Sequence, residues 1–207
     1  MSRRALLVTG FEPFGGLTAN PSLEVAKALD GRAVGNAIVR SAILPVHHAE
    51  AAAQVARLLD ETDPLAVVHL GLAGGRARIA LERVAVNVMD YDTTDNAGYR
   101  ALGESCVEGG PAAYFATLPL PAILAALLAE GIPAYVSNTA GTYLCNQTMY
   151  TTLHALAAHG SATRAGFIHV PLLPSMVAAS GLDQPSMDAS VMVRAVEIAL
   201  GVVSRST

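Results

Sequence analysis

The residue whose surroundings most clearly suggest chemistry is Cys145, near the end of the segment 137–146 (SNTAGTYLCN). A short β-rich run ends here in a turn of small residues, and the cysteine follows where the next helix is predicted to begin. Backbone N–H groups and the positive end of a helix dipole favour the thiolate, which is the nucleophilic form of cysteine. A lone cysteine is more often a small buried apolar residue, so the segment alone leaves both interpretations open. The nucleophile interpretation predicts a cysteine hydrolase.

The other cysteine, Cys106, lies between Glu104 and Glu108, whose carboxylates oppose formation of a thiolate. No catalytic role is predicted for it. Two cysteines are also too few for a disulfide framework or a structural zinc site.

A thiol nucleophile generally needs a histidine as its base, and the chain has six. His69 and His169 each lie near the end of a predicted buried strand, and the residues alone do not separate them. The remaining four are predicted on the surface, or on a helix without the i, i+4 spacing of a metal pair: His47, His48, His154 and His159.

An acid that orients the histidine is suggested by Glu82, within a strand predicted over 79–89. Alternation places this carboxylate on the same side of the strand as three valines, Val84, Val86 and Val88. A carboxylate among apolar side chains is costly unless it is paired. Glu82 therefore either holds a histidine or forms an ion pair with Arg76 or Arg78.

Composition excludes several classes of protein. The net charge is -4 and no run of Lys and Arg occurs, so no nucleic-acid partner is predicted. No apolar stretch approaches the ~20 residues that span a bilayer, so no membrane association is predicted. The 207 residues suit a single catalytic domain over 1–207 in the cytoplasm.

The elements that position these residues alternate between strands and helices. The strands are predicted at 5–10, 37–44, 65–70, 79–89, 134–137 and 165–170. The helices are predicted at 21–29, 47–59, 122–130, 143–158 and 187–202, the last with Ser186 as its cap. This alternation predicts an α/β fold with a largely parallel central sheet covered by helices. Ligands gather at the carboxyl ends of such strands, where 10–16, 71–75, the cysteine turn and His169 are expected to converge.

Six blocks occur in an order that resembles the type I pyroglutamyl peptidases (pyrrolidone-carboxylate peptidases). They are 10–16 (GFEPFGG), 20–22 (NPS), 73–76 (AGGR), 82–87 (ERVAVN), 137–146 and 166–174 (GFIHVPLLP). The resemblance extends from residue 7 to about residue 175, and the blocks around Glu82, Cys145 and His169 are specific to that family.

The resemblance implies a Cys–His–Glu triad of Cys145, His169 and Glu82 that removes an N-terminal pyroglutamyl residue from peptides through a thioester. It thereby selects His169 over His69. It further implies a three-layer α/β sandwich with a mixed central sheet, no metal or cofactor, and a homo-oligomer, commonly a tetramer.

The resemblance also implies a pocket for the flat, uncharged lactam, formed by Phe11 and Phe14 with Tyr143 and Leu144 nearby. Backbone contacts at Leu72 are expected to contribute. Glu12 is expected to point away, because the lactam has no ammonium group to bind.

Two departures from the family pattern leave alternatives open. Leu72 stands where a glutamine is usual, and residues 92–94 (DTT) stand where Arg-Ile-Pro is typical. One alternative is a related cysteine amidohydrolase with a shifted substrate preference, and another is a non-catalytic small-molecule binder. The polar segment 90–110 is predicted to be a flexible cover of the site.

Overall fold

The computed structural model describes residues 4–205. The strands of this part are β1 (Ala5–Phe11), β2 (Ala33–Val34), β3 (Ala37–Leu44), β4 (Ala66–Leu72), β5 (Ile79–Glu82), β6 (Val84–Val86), β7 (Met89–Asp90), β8 (Leu102–Glu104), β9 (Ala113–Phe115), β10 (Ala134–Ser137) and β11 (Arg164–Val170). Its helices are α1 (Pro21–Leu29), α2 (His48–Thr62), α3 (Leu120–Ala129), α4 (Leu144–Ala158), α5 (Pro174–Ser180) and α6 (Ala189–Arg205).

The central sheet has seven strands in the order β10-β5-β11-β4-β1-β3-β2. Strands β3, β1, β4 and β11 run parallel to one another, whereas β5 and β10 run parallel to each other and antiparallel to β11. Two small two-stranded sheets, β6 with β9 and β7 with β8, lie outside it. The prediction of an α/β fold with a largely parallel, mixed central sheet is confirmed.

Both faces of the sheet are covered, which follows from the alternation of side chains along each strand. In β1, Leu6 and Val8 pack with α1, α3 and α6, while Leu7 packs with α2 and α4. The result is three layers with one apolar core on each side of the sheet. No helix within residues 4–205 has both the length and the apolar character needed to cross a membrane.

The start of α1 illustrates how local sequence produces an element. Pro21 occupies the first turn, and the Asn20 side chain accepts a hydrogen bond from the Ser22 backbone N–H at 3.0 Å. The Ser22 hydroxyl accepts from the Phe11 backbone N–H at 3.0 Å, so the cap also fixes the end of β1. The cap at Asn20 and the proline at position 21 are the features from which this helix was predicted.

The single strand predicted over 79–89 is wrong, since the structure divides it into β5, β6 and β7. The chain leaves the central sheet at the exposed Arg83, whose backbone N–H donates to Ser137 and whose carbonyl accepts from Ala116. Each short strand then pairs with a different partner. Glu82 is therefore buried by the neighbouring strands of the central sheet, and the shared face with three valines is not formed: Val84, Val86 and Val88 are only half-buried.

The cap predicted for the last helix is also wrong. Ser186 forms an isolated bridge with Leu172, and α6 begins three residues later. Asp188 takes the capping role, because its Oδ1 accepts from the Ser190 backbone N–H at 2.8 Å.

A buried polar chain crosses the core between the sheet and α4. The Thr9 hydroxyl lies 2.7 Å from His69 Nδ1, and His69 Nε2 lies 2.9 Å from Thr152 Oγ1. Because Thr152 Oγ1 donates to the Thr148 carbonyl, it accepts from the Nε2–H, and the Thr9 hydroxyl donates to Nδ1. Both nitrogens of this fully buried ring are thus used in holding α4 against β1 and β4. Of the two strand histidines, His69 is a core residue.

His69 makes the stability of the fold depend on pH. Burial lowers its pKa to about 3, so the folded protein keeps the ring neutral while the unfolded chain takes up a proton below about pH 6.5. Stability is therefore fully present above pH 6.5 and falls by about 1.4 kcal/mol per pH unit below it. Between pH 7 and pH 5, the free energy of unfolding of the wild type, measured with urea, is expected to fall by about 2 kcal/mol more than that of His69→Gln.

The exposed His159 is the matched control, and His159→Gln is expected to keep the pH dependence of the wild type. Equal losses in the wild type and His69→Gln would contradict the assignment of a neutral, buried ring.

Candidate active site

The candidate residues meet where β4 and β11 end. Gly71 and His169 are register partners on these two strands, and Cys145 is the second residue of α4 above them. A Cβ on Gly71 would lie 2.8 Å from Cys145 Sγ and 2.7 Å from Phe167 Cζ. The thiol therefore lies against the backbone of Gly71, beside the strand that carries the histidine.

Contrary to expectation, the cysteine turn does not follow a strand that ends at the site. The strand before the cysteine turn, β10, runs antiparallel to β11 and β4 through its parallel partner β5. Its last residue, Ser137, is level with Glu82 and Phe167, two residues short of His169. The turn 138–143 then brings the chain to the carboxyl ends of β4 and β11, where α4 starts.

His169 and Glu82 form a buried pair. His169 Nδ1 lies 2.8 Å from Glu82 Oε1, and the carboxylate is fully buried. Because an ionised carboxylate only accepts, the ring carries its proton on Nδ1 and donates it to Glu82. Within residues 4–205, Nε2 has no hydrogen-bond partner, which leaves it able to accept a proton.

Glu82 has a second partner in Arg76, so both interpretations of this carboxylate are realised together. Arg76 Nη1 donates to the same oxygen, Oε1, at 3.0 Å. The other oxygen, Oε2, is buried without a hydrogen-bond partner in the described part of the chain. Arg78, the alternative partner, lies instead over the Tyr135 ring at 4.4 Å from its centroid.

The thiol of Cys145 is less acidic than its position at a helix start suggests. Burial raises its pKa to about 12, and the Glu82 carboxylate acts in the same direction, while Arg76 and a backbone hydrogen bond act against it. Desolvation therefore opposes the thiolate that the helix start favours. Cys145 needs a base, and His169 is the register partner of Gly71, the residue against which the thiol packs.

Asn146, which sequence reasoning overlooked, fixes the start of α4. Its Oδ1 accepts from the Val86 backbone N–H at 2.9 Å, and its Nδ2 donates to the carbonyls of Val86 and Val88 at 2.9 and 3.1 Å. The side chain is fully buried. A polar residue directly after a predicted nucleophile was the available signal, but sequence alone does not show its partners.

The expected pocket residues line one narrow pocket beside the thiol. All five form its wall together with Cys145: Phe11, Phe14, Leu72, Tyr143 and Leu144. Asn20 and Val46 also line it and were not predicted as site residues. Glu12 lies outside this wall, because its Oε1 accepts from the Val46 backbone N–H and from Asn96 Nδ2.

The start of the segment 90–110 is bonded to the turn that leads into α4. Asp90 and Thr142 exchange two hydrogen bonds, and the Tyr143 hydroxyl donates to the Thr94 carbonyl at 3.1 Å. The exposed Asp92 lies between these two anchors. The flexibility of this segment remains a prediction.

A second group of polar residues lies nearby but has poor geometry for a metal. Ligand atoms of His47, His48 and Asp95 lie within 4.8 Å of one another. The two imidazole rings are stacked, with 11° between their planes, so their in-plane lone pairs do not point to one ion. His47 Nδ1 caps α2, and His48 Nδ1 lies 3.0 Å from Asp95 Oδ2, so both are half-buried structural residues rather than solvated ones.

Comparison with known proteins shows the family. A sequence model of the pyroglutamyl peptidase family matches residues 4–206. The chain belongs to this family. Pyrrolidone-carboxylate peptidase 1 of Ralstonia nicotianae is 46% identical over 195 residues, covering 94% of this chain and 90% of that protein. The pyrrolidone-carboxylate peptidase of Thermococcus onnurineus is 48% identical over 193 residues, covering 93% and 95%.

The fold agrees with that of a solved family member. The crystal structure of pyrrolidone carboxyl peptidase from the hyperthermophile Pyrococcus furiosus matches with a TM-score of 0.95 and 43% identity, covering 98% of this chain and 99% of that one. The resemblance seen in the sequence is confirmed, and this pyroglutamyl peptidase family member is a hydrolase of the peptidase class.

The close approach at Gly71 gives a test that needs no substrate. Gly71→Ala is expected to lower stability by about 1–3 kcal/mol, because the new Cβ overlaps Phe167 and the thiol. It is also expected to change the rate of Cys145 alkylation by iodoacetamide, since the sulfur must move. Thermal unfolding and mass spectrometry measure the two effects.

Gly74→Ala is the matched control, because the nearest atom to its Cβ would be Leu172 Cδ1 at 4.0 Å. A Gly71→Ala protein as stable and as reactive as Gly74→Ala would contradict the described packing of α4 on β4.

Proposed function

We propose that this protein is a cysteine peptidase that removes an N-terminal pyroglutamyl residue from peptides, with Cys145 as nucleophile, His169 as base and Glu82 as the orienting acid. The observation that carries the proposal is the buried 2.8 Å bond between His169 and Glu82, next to a thiol packed on the neighbouring strand. The names of the relatives from Ralstonia nicotianae and Thermococcus onnurineus give it independent support.

The first step forms a bond between Cys145 Sγ and the carbonyl carbon of the pyroglutamyl residue. The thiol proton passes to His169 Nε2 as this bond forms, because burial disfavours a free thiolate in the resting site. Glu82 stabilises the imidazolium through the bond to Nδ1–H. The first-turn N–H groups of α4 have no partners within the helix and are available to hold the developing oxyanion.

The second half of the reaction releases both products. The imidazolium gives its proton to the leaving amine as the peptide C–N bond breaks, and a thioester remains on Cys145. Water then attacks the thioester, with His169 taking the water proton and returning one to the sulfur. Free pyroglutamate and the original thiol result, so the cycle needs no metal or redox partner.

The pocket fits a flat, uncharged ring better than an amino acid with a free ammonium. Its wall is mainly aromatic and apolar, and the carboxylate of Glu12, on the loop between Phe11 and Phe14, is occupied by Val46 and Asn96. An ammonium group entering this pocket would lose its hydration without gaining a counter-charge. The lactam needs only one donor and one acceptor, which backbone groups near Leu72 are proposed to supply.

A shifted substrate preference is the second candidate, and it has its own observation. Asp92 is exposed between two anchors of the segment 90–110, at Asp90 and Thr94. A carboxylate there, two residues from the Thr94 contact with the pocket residue Tyr143, changes the local charge relative to the arginine expected from the family pattern. This alternative keeps the same chemistry and changes only the preferred peptide.

The assembly and compartment are proposed on the family resemblance alone. We propose a homotetramer that works in the cytoplasm. Size-exclusion chromatography with light scattering is expected to give about four times the chain mass of 21.3 kDa. A monomeric mass at enzyme concentrations that support activity would contradict the tetramer.

The deciding experiment measures release of a chromophore from a pyroglutamyl amide. Cys145→Ser and His169→Ala are each expected to lower kcat/KM by at least about 10³-fold, because they remove the nucleophile or its base. Glu82→Gln is expected to lower it by about 10²–10⁴-fold. Prolyl, glutamyl and glutaminyl amides report whether the preference has shifted.

Cys106→Ser is the matched control, since the thiol of Cys106 faces the Val86 carbonyl at 3.6 Å and burial raises its pKa to about 11. This variant is expected to keep full activity. A wild type without turnover of any of these amides would overturn the peptidase proposal.

A further inference from the structure

The two oxygens of the buried Glu82 carboxylate differ in their number of hydrogen-bond donors. His169 and Arg76 both donate to Oε1, at 2.8 and 3.0 Å, whereas Oε2 has no donor within residues 4–205. Glu82 is fully buried, and the Arg76 side chain is only 31% exposed. A buried carboxylate with one unpartnered oxygen is costly, and Arg76 is the cation in direct contact with it.

This arrangement gives Arg76 a part in the chemistry as well as in the fold. We propose that Arg76 is a positioning residue of the proposed reaction, which offsets the charge of Glu82, keeps its carboxylate aimed at His169 and sets the pH range in which the Cys145–His169 pair works. The inference rests on the proposed function, because it assigns a further residue to the same site.

Four elements at the site carry charged or titratable groups: Arg76 from the β4–β5 loop, Glu82 from β5, His169 from β11 and Tyr143 from the cysteine turn. His69 on β4 lies deeper in the core, bonded to Thr152. Besides burial, the pKa of the Cys145 thiol is raised by Glu82 and lowered by Arg76. The ring of His69 stays neutral, and burial raises the pKa of Tyr143 to about 12, so neither offsets Glu82 at neutral pH.

The predicted consequence of removing the cation has a definite sign. Without Arg76, the charge of Glu82 acts unopposed on both members of the pair. It then makes the thiol harder to ionise and the imidazolium harder to deprotonate, so every proton is released at higher pH. An ion pair that serves only to hold the loop would change stability without moving the pH profile.

The experiment compares Arg76→Gln with Arg78→Gln, which removes the same charge from the same loop. Arg78 is the matched control because its guanidinium lies over Tyr135 and makes no ion pair with Glu82. The rate of Cys145 alkylation by iodoacetamide is measured from pH 6 to pH 9.5, and kcat/KM for the pyroglutamyl amide over the same range.

Arg76→Gln is expected to move both limbs of the kcat/KM profile upward by about half a unit to one unit, a range reduced for the partial exposure of the arginine. At pH 8 its alkylation rate is expected to be about 3- to 10-fold lower, which is the same shift expressed as a thiolate fraction. Arg78→Gln is expected to match the wild type. Arg76→Lys, which keeps the positive charge, is expected to keep most of the wild-type profile. Profiles that are identical for Arg76→Gln and Arg78→Gln would overturn the proposal.

A second pair of variants tests the inference even if Arg76→Gln does not fold. Arg76→Gln leaves a buried carboxylate without its counter-ion, whereas Glu82→Gln with Arg76→Gln leaves no charge in the pair. The double variant is expected to be alkylated more slowly at pH 8 than Glu82→Gln alone, because the arginine still favours the thiolate when the carboxylate is absent. Equal rates would count against the inference.

Alkylation of Cys145 needs no substrate, so this test separates the two proposals. Absence of pyroglutamyl turnover in the wild type would overturn the proposed function, while the alkylation profiles would still decide the role of Arg76.

Discussion

The geometry of the site depends on the close packing of α4 on β4. Gly71 leaves room for Cys145 Sγ at the position that any other side chain would fill. Deeper in the protein, the bond between His69 and Thr152 fixes the same face of α4 against the sheet, seven residues along the helix from the cysteine. Asn146 ties the first turn to the backbone of Val86 and Val88. The helix is thus held at two levels, and the thiol has a defined height above the strand that adjoins His169.

The histidine and its acid are fixed by a different part of the structure. Glu82 and His169 lie on the antiparallel neighbours β5 and β11, so backbone hydrogen bonds of the central sheet set their separation. Half of the pocket wall instead comes from loops and turns, which supply Phe14, Asn20, Val46 and Tyr143. Proton transfer therefore relies on regular elements, and recognition relies in part on loops, which tolerate sequence change more readily.

Much of the fold followed from local sequence, since apolar runs and helix starts are local properties. The strands at 37–44 and 134–137 have the predicted bounds, and Asn20 with Pro21 marks the start of α1 as expected. The error at 79–89 has a non-local cause. Regular alternation continues through β5 and β6, but each pairs with a different strand, and a sequence pattern does not specify its partner.

In the candidate site, too, local features were predictable from the sequence and non-local ones were not. The types of Cys145, His169 and Glu82 suggested a role, but choosing between His69 and His169 required the family resemblance. The helix start at Cys145 suggested an acidic thiol, whereas burial, which depends on the whole fold, raises its pKa to about 12. Val46 gave no local signal, because it reaches the pocket from the turn between β3 and α2.

This burial has a consequence for the durability of the protein. Peroxides attack cysteine as the thiolate, and the first product is a sulfenic acid that proceeds to irreversible oxidation states. Burial raises the pKa of the Cys145 thiol, and a thiol whose ionisation is disfavoured reacts more slowly with such oxidants. The environment that makes Cys145 depend on a base therefore also slows its oxidation between encounters with substrate.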